Sequence, residues 1–133
     1  MLVPNFQFGG RCETAIALYE KALNATVDTV LYNRDMSGNP DDVGVGHAEM
    51  HIHGQRVMLD DRSGNPEQRT ESAVQMVLIF GTKEELLHSY ALMNQDITVI
   101  DPLQETFYSP LVTCFVDMFG VEWCFMVDEN PRD

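Results

Sequence analysis

Residues 47–53, His-Ala-Glu-Met-His-Ile-His, alternate strictly between polar and apolar side chains. In a strand, successive side chains point to opposite faces. His47, Glu49, His51 and His53 therefore share one face, and Ala48, Met50 and Ile52 share the other. Three of the protein's four histidines then lie on one side of one strand. His53-Gly54 reads as a two-residue turn, and Gln55–Asp60 as the returning strand. With that turn, residue 52 pairs with 55, 49 with 58 and 47 with 60. His47 is expected opposite Asp60, with Cβ atoms roughly 5 Å apart, and His51 opposite Arg56. The apolar sets Ala48/Met50/Ile52 and Val57/Leu59 coincide under this register. A one-residue slip would carry Asp60 to the apolar face, a costly place for an unpaired carboxylate.

Around this hairpin the chain reads as a repeated order of elements. Val3–Phe8 is a short strand closed by Gly9-Gly10. Arg11–Asn24 is a helix whose Cys12, Ala15, Ile16, Tyr19, Ala22 and Leu23 fall at helical spacing. Ala25–Tyr32 is a β-branched strand, and 33–42 is a loop by composition. After the hairpin, 62–71 is a second polar loop and the order begins again. Ser72–Phe80 is a strand. Thr82 caps a helix running to Asn94, with Glu85 completing a capping box and Leu86, Leu87, Tyr90 and Met93 as the buried stripe. Ile97–Ile100 is a strand, Leu103–Tyr108 continues through a turn, and Leu111–Asp117 and Glu122–Val127 are the last strands, before a frayed tail. The fold class expected is α+β. Two βαβββ modules, about 1–70 and 71–133, form one cupped, mostly antiparallel sheet with helices on the outer face. The 133 residues are expected to make one domain.

Charge and cysteine usage narrow the function classes. Eight Lys and Arg against 21 Asp and Glu give a net charge of −13. Nucleic acid is therefore not an expected partner, because neutralising phosphates supplies most of that affinity, and anionic membranes are disfavoured likewise. No apolar run approaches the roughly 18 residues that cross a bilayer. Met1–Asn5 has no basic region ahead of a hydrophobic segment, so the expected location is cytoplasmic. Cys12, Cys114 and Cys124 are odd in number and lack metal-type spacing, which suits small buried apolar groups rather than a disulfide framework.

Several words of the sequence carry a resemblance. They are Pro4–Phe8 with Gly10, Cys12–Tyr19, His47–Met50, Val57–Asp61, Gln104–Phe107 and Asp117–Trp123. With the element order, they make the chain resemble the vicinal-oxygen-chelate superfamily of glyoxalase I, bleomycin-resistance proteins and extradiol dioxygenases. Within it the chain is similar to the PhnB-like group, often labelled 3-demethylubiquinone methyltransferase-like. No glycine-rich strand-to-helix turn suited to a nucleoside cofactor accompanies that label. The resemblance implies a small organic ligand bound in the cup and a homodimer that covers the apolar edges of the half-open sheet. In the metalloenzymes of the superfamily each half supplies one His, Gln or Glu from its first strand and one carboxylate from its last. Those places fall here at or near Pro4, Met58, Gln75 and Cys124. Only Gln75 is a hard ligand, and Cys124 would suit zinc or copper. No cofactor is expected, and a divalent metal is the alternative. His47, Glu49 and His51 would be its ligands, since His-x-His on one strand can chelate.

Among the candidate site residues, His47 with Asp60 stands first, as a catalytic base or as an anchor for an anionic ligand. A structural hydrogen bond is the competing reading of that pair. Glu49 is a second carboxylate on that face or a partner for Arg56. Gln75, Glu105 and Cys124 are candidate ligand-binding residues, with Cys124 and Met126 on the cup side and Trp123 packed toward the helix. Two functions compete: a metal-independent binder of a small organic molecule, and a metal-dependent lyase, isomerase or dioxygenase with its metal in a non-standard place.

Overall fold

The computed structural model describes residues 1–61 and 74–128. The 62–71 loop, the start of the strand expected from Ser72 and the tail beyond Asp128 lie outside the described residues. The chain divides into two compact units, Met1–Arg69 and Thr70–Asp133. Each is a βαβββ module built on an open, four-stranded mixed sheet.

The first unit runs β1 (Asn5–Gln7), α1 (Cys12–Ala22), β2 (Ala25–Tyr32), α2 (Asn33–Ser37), β3 (Val45–Ile52) and β4 (Gln55–Asp60). Its strand order is β1-β4-β3-β2, with β1 parallel to β4 and the other pairs antiparallel. The hairpin register is the expected one from Ile52↔Gln55 through His51↔Arg56 and Glu49↔Met58 to Ala48↔Leu59. His53 and Gly54 both hold positive φ, at 50° and 80°, which matches a turn whose twist suits the flanking strands. Every second residue of the hairpin, Ala48, Met50, Ile52, Val57 and Leu59, is buried. Against this face α1 lays Cys12, Ala15, Ile16, Tyr19 and Ala22. The Tyr19 ring sits 6.1 Å from Phe8 and 6.5 Å from Phe6. Burying each such side chain contributes about 1.5–3 kcal/mol.

Three local features differ from the sequence expectation. The segment after β2, expected as loop, opens with the helical turn α2, ended by Gly38 at φ 75°. Asp28 is an extra residue in β2, between Val27↔Met50 and Thr29↔Glu49. Gly46 is extra in β3: Leu31↔His47 is followed by Tyr32↔Val45, and Asp61 N–H likewise donates to Val45 O at 2.9 Å. Such bulges bend a strand and re-aim side chains, and alternation alone does not reveal them.

The second unit runs β5 (Met76–Phe80), α3 (Lys83–Met93), β6 (Thr98–Thr106), β7 (Ser109–Val116) and β8 (Glu122–Val127). Its order, β5-β8-β7-β6, repeats the first unit's pattern of a parallel edge pair followed by two antiparallel pairs. Thr82 Oγ1 accepts Glu85 N–H at 3.2 Å, as the capping motif anticipated. The buried stripe of α3 is Leu86, Ser89 and Met93, while Leu87 is exposed. Position 87 is one residue past the stripe, and Ser89 falls on it three residues after Leu86. The strand expected to stop at Ile100 continues through Pro102 to Thr106, with three irregularities in its pairing to β7. Pro102 is tolerated because β6 is an edge strand, where a missing N–H breaks no second ladder. The core of this unit is aromatic: Phe80, Phe115 and Trp123 stack around Phe125, and Tyr90 reaches Phe115 at 5.4 Å.

Candidate functional site

Alternation leaves one face of each sheet turned away from its helix. In the first unit that face carries His47, Glu49 and His51 from β3, Arg56 and Met58 from β4, and Thr26 and Thr29 from β2. Glu49 is its centre. Arg56 Nε donates to Glu49 Oε1 at 2.5 Å, and His47 Nε2 lies 3.1 Å from Glu49 Oε2. The two oxygens of one carboxylate therefore hold an imidazole and a guanidinium on either side. The Arg56 hydrogen bond, followed by that of His47, holds the Glu49 carboxyl below the usual glutamate range. In return Glu49 pushes Arg56 further up. The three side chains are 23–39% exposed, so the chain is open to solvent along its length.

The carboxylate that meets His47 is thus Glu49, two residues along the same strand, rather than the cross-strand Asp60 favoured by the register. Asp60 is fully buried, and Asn5 Nδ2 lies 3.5 Å from its Oδ2. It closes the ladder with β1, its carbonyl accepting Phe8 N–H at 3.0 Å. The Gly46 bulge falls where His47 and Asp60 would face each other, which explains the altered partner. The neighbouring Asp61 is a structural carboxylate. Its Oδ1 accepts Gly10 N–H and Cys12 N–H at 2.8 and 2.9 Å, and its Oδ2 accepts Val45 N–H at 2.8 Å. One side chain from the end of β4 thereby caps α1 and fixes the start of β3.

His51 Nδ1 lies 2.5 Å from Asp28 Oδ2. Asp28 is the β2 bulge residue, which is how a strand neighbour reaches a histidine that pairs by register with Thr26. Sequence reasoning missed this partner because a bulge leaves no mark in composition.

The remaining candidates belong to the second unit. Gln75 precedes β5 and is exposed, as is Glu105 in the edge strand β6. Cys124 is 8% exposed, on the face opposite the aromatic core; its register partners are Cys114 and Val77. Trp123 faces the helix side as expected, and its Nε1–H donates to Asp117 Oδ2 at 2.9 Å. Asp117, 4% exposed, also accepts Phe119 and Val121 N–H on Oδ1, so it organises the β7–β8 turn. Sequence reasoning read Cys114, like the other two cysteines, as a small buried apolar group; it is only half-buried, and the register of β7 on β8 brings it beside Cys124.

The donor set is a poor match for a divalent metal. In the first unit the two family positions are adjacent, Pro4 O accepting Met58 N–H at 2.9 Å. Proline has no donor side chain and methionine offers only a soft thioether, so the residues present do not fit a hard ion. Among the described residues, no group of three or more His, Cys, Asp or Glu is arranged to hold a metal ion.

Residues 5–125 match the family described as the Glyoxalase/Bleomycin resistance protein/Dioxygenase superfamily, and the chain belongs to it. Its fold recurs in solved structures. A putative 3-demethylubiquinone-9 3-methyltransferase, PhnB protein, from Bacillus cereus superposes with a TM-score of 0.82 at 22% identity, covering 96% of this chain and 98% of that one. A protein from Pseudomonas aeruginosa gives 0.79 at 23%, covering 96% and 97%. The fosfomycin resistance protein of Listeria monocytogenes, solved with Mn(II) and a dihydroxypropylphosphonic acid, gives 0.64 at 9%, covering 95% and 90%. At these identities the likeness is one of fold. Comparison with the curated proteins returns no match.

Proposed function

We propose that this protein binds a small organic molecule over the polar face of its first sheet, without a resident metal ion. The observation that carries the reading is the Glu49-bridged chain. Arg56 commits Nε to Glu49, which fixes the plane of the guanidinium and leaves its terminal amino groups to donate to a ligand. A carboxylate or phosphonate matches that fork. His47, held by Glu49 through Nε2, presents its other ring nitrogen as a hydrogen-bonding group. The face suits recognition rather than proton abstraction, because the carboxylate that would serve as a base is engaged on both oxygens. Cytoplasmic location and a homodimer belong to the same proposal. No helix of the described residues is long and apolar enough to cross a membrane. Val99, Ile100 and Leu103 on edge strand β6 are exposed apolar groups that a second subunit would cover.

The test is a thermal-shift screen of small carboxylic and phosphonic acids on tag-free protein. A ligand at one hundred times its Kd stabilises by about 2.7 kcal/mol. The expected result is a shift in the native protein that Arg56→Ala abolishes. A hit indifferent to Arg56→Ala and Glu49→Gln would place recognition elsewhere. Elemental analysis of the same preparation addresses the second reading, since a stoichiometric, tightly held transition metal would make the protein a metalloenzyme with an unusual site. Light scattering should return twice the 15.0 kDa chain mass.

A further inference from the structure

Cys114 in β7 and Cys124 in β8 are direct register partners in an antiparallel pair. Asp117 N–H donates to Val121 O at 2.9 Å where the two strands meet, and the ladder then runs without irregularity from Val116↔Glu122 to Val112↔Met126. Hydrogen-bonded and non-hydrogen-bonded pairs alternate along such a ladder. Three steps back from Asp117 and Val121, Cys114 and Cys124 form a non-hydrogen-bonded pair, the closer kind, with Cα atoms about 4.5 Å apart. A disulfide spans Cα separations of about 4.4–6.8 Å, so bridging these two requires no strand movement. On the other side, in β6, the register partner of Cys114 is Asp101. Two sulfurs and one carboxylate thus stand in a row across three adjacent strands. Neither the polar face of the first unit nor the turn carboxylate Asp117 uses them.

We propose that Cys114 and Cys124 form a reversible dithiol–disulfide site, oxidised by a peroxide, with Asp101 receiving the Cys114 proton as the bond closes. Asp101 stands beside Cys114 and not beside Cys124, so Cys114 is the sulfur with a proton acceptor at hand when the S–S bond closes, and Cys124 is the sulfur that meets the peroxide. A peroxide is an oxidant small enough for a pair in which Cys114 is half-buried and Cys124 is only 8% exposed. The Cys124 sulfur attacks one peroxide oxygen and the O–O bond breaks. With hydrogen peroxide, the departing hydroxide takes the thiol proton and leaves as water. Cys124 is then a sulfenic acid. The Cys114 sulfur displaces its hydroxyl, forming S–S and breaking S–O. The Cys114 proton passes through Asp101 to that hydroxyl, giving a second water. Two thiols are oxidised and one peroxide is reduced. Cys12 does not fit such a role: it lies at the start of α1 with no solvent exposure, where a peroxide does not reach it.

The experiment exposes the full native chain to hydrogen peroxide, quenches, unfolds, alkylates and maps the peptides by mass spectrometry. The expected result is loss of two of the three free thiols, with one cross-link joining the Cys114 and Cys124 peptides, Cys12 alkylated, and all thiols restored by dithiothreitol. Cys114→Ser should trap Cys124 as a sulfenic acid that dimedone labels. Asp101→Asn should slow closure by at least ~10-fold, so dimedone labelling of Cys124 rises at short times. Three intact thiols after oxidation, or a cross-link through Cys12, would overturn the proposal. Circular dichroism checks each variant's fold, and if a serine variant does not fold, the wild-type peptide map decides alone.

Discussion

The two units share a strand order and a single long helix on one face of the sheet, yet they expose different chemistry on the other face. In the first, that face is ionic: His47, Glu49 and Arg56 in one chain, and His51 with Asp28 in another. In the second, the corresponding row holds Val77, Cys124, Cys114 and Asp101, with Ile79, Met126 and Val112 beside it. The topology therefore constrains only alternate residues, those that meet the helix. The residues between them are free to carry an ionic network in one copy and thiols in the other. The units also differ in how a carboxylate serves the fold. Asp61 reaches from β4 to cap α1, whereas α3 is capped by its own Thr82 and the second unit spends Asp117 on a turn instead.

That difference gives the order of expected effects. Asp117→Ala should be the most damaging. It removes the acceptor for two backbone N–H groups and the Trp123 indole in a site only 4% exposed. Stranding buried donors costs about 1–3 kcal/mol each, not fully additively, so about 3–5 kcal/mol is expected in urea unfolding. A loss under about 1 kcal/mol would mean that the turn reorganises around water.

Asp61→Ala comes next, at about 2–3 kcal/mol, because three N–H groups lose a charged acceptor at a partly exposed site. Its counterpart Thr82→Ala removes one neutral cap bond and should cost about 1 kcal/mol. Equal losses for the two would contradict the view that the first unit's cap also locks β3 in place. Gly46→Ala should follow at about 1–3 kcal/mol. A Cβ there would sit 2.5 Å from Asn33 Oδ1 and collide with Met36 Cε. Met36 can swing away, but Asn33 Nδ2 is held at 3.1 Å by Val43 O. Gly46→Ala in a Met36→Ala background separates the two contacts, and the residual loss reports on Asn33 alone.

The hairpin was legible in the sequence because alternation and a His-Gly turn agree on one register; Asp60 is buried in that register too, so the cost of burying it is not what decides against a slip. The capping motif at Thr82 and the helix-side placement of Trp123 were legible for similar reasons: each rests on spacing within one element. What was not legible depends on single extra residues. The bulge at Asp28 turns a carboxylate onto His51, and the bulge at Gly46 lies where His47 would meet Asp60. The short turn α2 and the continuation of β6 through Pro102 were hidden too, since a polar composition and a proline both read locally as breaks. The cysteine pair needed the β7–β8 register, which sequence spacing between residues 114 and 124 does not give.

The smallest effect expected is also the most direct test of the ionic face. Glu49 titrates below the usual glutamate range in the folded protein, first through Arg56 and then through His47. A carboxyl whose folded value is depressed contributes stability above the unfolded value and loses it as pH falls through the folded value. The contribution of Glu49 should therefore be full at neutral pH and fade on acidification through and below the usual carboxylate range. Because the pair is solvent-screened, the change should be small and salt-sensitive. The measurement is the difference in urea midpoint between wild type and Glu49→Gln across an acid titration. The difference should favour wild type at neutral pH, shrink as pH falls, and shrink also in high salt. A difference independent of pH would mean that Glu49 acts through shape and packing rather than charge. A ligand anchored on Arg56 could then not rely on a carboxylate to hold the guanidinium in its plane.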